Sequence, residues 1–91
     1  MIIAEQIAVA VATLVGQDGK RVFTREEVRH QAGISHEVWK ASYSPIFQGM
    51  RVDHPGGAPK VATKFQGVFQ QVAYGKHMLT DYGCMLLREV A

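Results

Sequence analysis

The stretch Val28-Arg29-His30-Gln31-Ala32-Gly33-Ile34-Ser35-His36-Glu37-Val38-Trp39-Lys40 decides how this chain folds. Gly33 supplies the left-handed backbone that a tight helix exit needs, and Ser35 is of the type that caps a helix start. The run therefore reads as a helix ending at Ala32-Gly33, a short turn, and another helix opening at His36. Glu37 falls in the first turn of that helix, where a carboxylate suits the dipole. Just upstream, Thr24-Arg25-Glu26-Glu27 has capping-box spacing: Thr24 can accept from the backbone three residues on, while Glu27 reaches back. The earlier helix thus starts at Arg25. Arg29, three residues after Glu26, reads as a surface residue or as the partner of that carboxylate.

Toward the N-terminus, Ile3, Ile7, Val11, Leu14 and Val15 recur at helical spacing until Gly16 and Asp18-Gly19 stop the pattern. Ala8, Val9 and Ala12 make this first helix apolar nearly all round, so it must be covered on more than one side, by its own domain or by a second copy. A short strand, Val22-Phe23, follows. Toward the C-terminus, Pro45 lacks a donor and biases Ser44 away from helical backbone, which limits the regular part of the third helix to about His36 to Tyr43 and leaves Ile46 to Met50 as an irregular or one-turn segment. Trp39 and Tyr43, four apart, should join Ile34 and Phe47 in the core. Arg51 to Lys64, with a Pro-Gly-Gly centre, reads as a long connection. Phe65 to Val72 and Lys76 to Leu79, pivoting on Ala73-Tyr74-Gly75, read as a β-hairpin. Thr80 and Asp81 cap a last helix with Met85, Leu86, Leu87 and Val90 on its apolar face, and Gly83 weakens its first turn.

At 91 residues, 47% of them apolar and 20% charged, the chain (1–91) is expected to form one domain with a single core. The longest apolar stretch, Ile2 to Val15, is interrupted by Glu5, Gln6 and Thr13, lacks the basic leading segment of a signal peptide and is too short for a membrane span, so no membrane partner is expected. Cys84 is the one cysteine and cannot close an internal disulfide, which points to a reducing, cytoplasmic compartment. No pair among His30, His36, His54 and His77 has the spacing of a zinc-binding helix, so neither metal nor cofactor is expected. Cys84 on an apolar helix reads as a buried, inert thiol, and Glu26-Glu27 as structural carboxylates. No enzyme is indicated. The charge is uneven: Lys40 to Thr80 carries Lys40, Arg51, Lys60, Lys64 and Lys76 against Asp53 alone, a net +4, while the overall charge is +2. Such a segment suits an anionic partner.

The expected order of helix, short strand, helix, helix, hairpin and helix is an α+β fold, mostly helical. With the Ala-Gly-Ile-Ser run at 32–35 and the Phe69 to Leu87 segment, it resembles a winged helix-turn-helix domain, order α1-β1-α2-α3-β2-β3-α4. The family usually has a small residue where Arg29 stands, and the long Gly-Pro loop is not general to it. Domains of this group occur in transcription regulators and as accessory parts of restriction-type nucleases, reading duplex sequence or base modification. The resemblance implies double-stranded DNA as the partner.

A helix about 10–12 Å across fits a major groove about 12 Å wide. The helix opening at His36 would then present Ser35, His36, Glu37, Lys40 and Ser44 to the duplex. Lys40 could meet guanine or phosphate, His36 could donate to either, and Glu37 could accept from cytosine. Tyr74, Lys76 and His77 at the hairpin would form a second contact, with Arg51, Lys60 and Lys64 holding phosphates around the same face. A solvated surface explains these polar residues equally well one by one. The alternative function is a protein-interaction module of the same fold, with a homodimer through the first and last helices.

Overall fold

A computed structural model describes residues 2–17, 19, 21–52, 61 and 63–90. Helix α1, Ile3–Gly16, buries Ala4, Ile7, Ala8, Ala10, Val11 and Leu14. Strand β1 is only Phe23–Thr24, and α2 follows at once as Arg25–Ala32. Next come α3, His36–Val38, a π-helical turn, Trp39–Tyr43, and α4, Ser44–Gly49. A 3₁₀ turn at Thr63–Phe65 leads to β2, Phe69–Ala73, and β3, Lys76–Leu79; α5, Asp81–Val90, comes last. The fold is α+β: helices around a small antiparallel sheet of strand order β1-β3-β2.

Helix α1 is apolar all round because its own chain surrounds it: α2, α4 and α5 all pack against it. Four phenylalanines, Phe23, Phe47, Phe65 and Phe69, are completely buried with Ile7, Val11, Val28 and Met50. Each such side chain removed from water contributes about 1.5–3 kcal/mol. Trp39 and Tyr43 join this core as expected, with Ile34 half-buried against it. The Tyr43 hydroxyl donates to Gln6 Oε1 on α1, giving its polar end a partner.

The capping box of α2 is present in full: Glu27 N–H donates to Thr24 Oγ1 at 3.1 Å, and Thr24 N–H to Glu27 Oε1 at 3.0 Å. At the other end Gly33 takes φ +72°, and the Gly33 and Ile34 amides close the last turn on the carbonyls of His30 and Arg29. Ser35 Oγ then accepts from Val38 N–H at 3.3 Å, starting α3.

Several expectations are corrected. Pro45 does not end the third helix; helical backbone runs on to Gly49, which adds a helical segment before the hairpin. The reason is the π turn. The Ser44 amide reaches five residues back to Trp39 O, and Pro45 then enters a new helical segment near its start, where no N–H is needed. Four-residue steps along an α-helix overshoot a full turn by about 40°. The wider turn takes back that drift, so Trp39 lies 5.9 Å from both the Tyr43 and the Phe47 ring centroids.

The first hairpin strand starts at Phe69 and not Phe65, because Thr63–Phe65 forms a 3₁₀ turn and Gly67, at φ +73°, redirects the chain. Met85 is 63% exposed; Leu86 and Leu87 alone carry the described apolar contact of α5. Cys84 is exposed, not buried, since it lies off that face. Gly83 does more than weaken a turn: a Cβ there would sit 2.0 Å from Val68 O, so the close approach of α5 to Val68 requires glycine.

Candidate nucleic-acid interface

The turn between α2 and α3 is braced by Arg29. Its guanidinium donates to both carboxylate oxygens of Glu26 and, through Nη1, to Ile34 O at 2.6 Å. One side chain thus ties the first turn of α2 to the loop that aims α3. The hydrogen bond from Arg29, with the Arg29, His36 and His30 charges, holds the Glu26 carboxyl below its ordinary pKa despite the opposing effect of burial. The same bond raises Arg29.

Beyond this brace, Ser35, His36, Glu37 and Lys40 are all exposed at the start of the helical run, and Ser44 is half-buried further along. His36 Nε2 lies 3.6 Å from Glu26 Oε1, so the first turns of α2 and α3 stand side by side. Val38, 48% exposed, and Ala41 add an apolar element to this otherwise polar face. The sequence reading missed them by attending to polar residues; the burial of Trp39 on the opposite side is the signal that places Val38 outward.

The hairpin divides its candidates. Tyr74 is 99% exposed at the tip and Lys76 is exposed beside it, with Gly75 at φ +72° making the turn. His77 is corrected from the surface to the core: it is 1% exposed, and its ring packs against Phe23, Phe47 and Phe69 at centroid distances of 6.3, 5.0 and 6.4 Å. Strand alternation gives the cause, since with Lys76 outward its neighbour must point inward. Beside the tip, Arg25 of α2 lays its guanidinium 5.6 Å above the Phe47 ring.

Of the supporting cations, Arg51 and Lys64 do not gather at the tip. Arg51 is corrected from a surface contact to a largely buried residue, because its backbone bridges Phe69 at the base of the hairpin. Lys64 is exposed but stands at that base too: its carbonyl accepts from the Tyr82 hydroxyl of α5 at 2.6 Å, and its Nζ sits over the Phe65 ring. Lys60, with the Pro-Gly-Gly segment and His54, lies outside the described residues.

Among the described residues no group of three or more His, Cys, Asp or Glu could hold a metal ion, and no helix is long and apolar enough to cross a membrane. Comparison with known proteins finds no matching family, curated protein or solved structure.

Proposed function

We propose that this chain is a winged helix-turn-helix module that binds double-stranded DNA, with the helical run that opens at His36 entering the major groove and the β2–β3 hairpin lying against the flanking backbone. The observation that carries the reading is the braced turn between α2 and α3, which holds His36, Glu37 and Lys40 outward while Trp39, Tyr43 and Phe47 fix the helix from behind. A reading helix must be rigid behind and polar in front, and this one is both. Tyr74 and Lys76 at the hairpin tip supply the second contact. The module is one of recognition, of sequence or base modification, as in transcription control or restriction, and it needs no catalytic group. A cytoplasmic setting goes with it, as an exposed lone thiol such as Cys84 is suited to reducing conditions.

The test is fluorescence anisotropy with a mixed-sequence duplex over a range of salt. Affinity should fall steeply as salt rises, and Lys40→Ala with Lys76→Ala should weaken binding several-fold and flatten the salt slope by about two. Equal affinity for the double variant and the parent would defeat the reading.

A second reading, a homodimer through α1 and α5, is favoured by the apolar groove that Ala12, Val15, Leu79 and Leu87 form and by the exposure of Met85 on α5. The two readings are compatible, since dimers that read paired half-sites are common.

A further inference from the structure

Between the first turn of α2 and the hairpin tip lies a cavity of about 300 Å³, lined by Arg25, Gln71, Tyr74, Gly75 and His77. Among the described lining residues Arg25 brings a guanidinium, which is half-buried with its Cζ 5.6 Å from the centroid of the Phe47 ring. A guanidinium over a ring keeps N–H donors at its edge for a further partner. No hydrogen bond or ion pair joins the Arg25 head group to any described residue. The carboxylates nearest in sequence are both committed elsewhere, Glu26 to Arg29 and Glu27 to the capping box. None of the described residues lining the cavity is acidic.

We infer that this notch is a phosphate seat, in which the Arg25 fork grips two oxygens of a phosphate group while Gln71, the Tyr74 hydroxyl and the Gly75 amide close around it. The inference rests on the proposed DNA reading for its natural ligand, a phosphodiester of the duplex backbone, though the same chemistry would take a free phosphate. A guanidinium matches two phosphate oxygens with parallel, charge-assisted hydrogen bonds, and such pairs are the strong ones. Burial first, and then the neighbouring Arg51 charge, lower the Arg25 pKa, and Tyr74 opposes them. An anion in the notch relieves that strain on the cation. The placement also gives the seat a purpose. The first turn of α2 has Glu26 toward His36 of α3 on one side and Arg25 toward Tyr74 of the hairpin on the other. A phosphate held there would fix the duplex in register between the two contacts, without reading sequence.

The experiment follows the Arg25 side-chain Nε–H resonance of the full chain by NMR, titrated separately with inorganic phosphate and with a mixed-sequence duplex. Arg25→Gln supplies the assignment, and its unchanged melting curve shows that the variant folds. The seat predicts that both ligands shift the resonance, the duplex at far lower concentration. It also predicts that Arg25→Gln weakens duplex binding several-fold and lowers the salt slope by about one, while Arg25→Lys recovers only part of the loss. An Arg25 resonance unmoved by both ligands, in a protein whose duplex binding still depends on Lys40, overturns the seat and leaves the DNA reading intact. A shift with phosphate in a protein that binds no duplex keeps the seat, assigns it to free phosphate, and overturns the DNA reading.

Discussion

Glu26 is the residue whose charge most affects the start of α3, because Arg29 and His36 both meet it. With its folded pKa depressed, the carboxylate stays ionised at neutral pH, and its pairing with Arg29 is lost only as pH falls below the usual carboxylate range. The sign is that of a group whose stabilising effect is present above its unfolded pKa and disappears in acid. A carbon-detected NMR titration should place the Glu26 midpoint below that of an unperturbed glutamate, and Arg29→Ala should move it back up. A midpoint that ignores the substitution would contradict the brace. The pairing itself was legible in the sequence from the three-residue spacing, whereas the bond from Arg29 to Ile34 O was not, since it depends on where Gly33 turns the chain. His77 shows a signal present but unused. The neighbouring lysine and the turn suggested a polar tip, while the two-residue period of the strand already required an inward ring.

Elements whose limits are set by local chemistry were readable: Thr24 and Glu27 start α2, Gly33 ends it, and Ser35 opens α3. Elements set by distant partners were not. The π turn goes with the packing of Trp39 against both Tyr43 and Phe47, and the close seat of α5 depends on Val68, fifteen positions before Gly83. Thr80 reinforces that seat: its hydroxyl donates to Gly67 O at 2.6 Å and accepts from the Gly83 amide at 3.0 Å. Gly83→Ala would therefore drive a methyl group into a backbone carbonyl that cannot move without disturbing the sheet. The expected loss is about 1–3 kcal/mol, the usual cost of overpacking, measured by urea denaturation. Alanine has the higher helix propensity, so helix propensity alone predicts the opposite sign. A stabilised variant would mean that α5 is free to slide away from Val68.

Across the whole molecule, the described cations of the Lys40 to Thr80 segment are divided among Lys40 on the helical run, Lys76 by the hairpin tip, where Arg25 from outside the segment joins it, and Arg51 and Lys64 at the hairpin base. A net +4 counted along the chain cannot show that division, because it arises from strand direction. An apolar groove lies between α1 and α5. If two copies meet there, light scattering should give a mass of twice one chain that falls toward a single chain on dilution, and Met85→Lys should shift the balance to monomer. A single-chain mass at every concentration would remove the dimer and leave the DNA reading untouched. The pairing of β1 with β3 carries one last consequence. Thr24 is at once the strand residue opposite Lys76 and the cap on which α2 begins. Hairpin and α2 are therefore linked by a joint one residue long, and any force that levers the hairpin aside must tilt α2 with it.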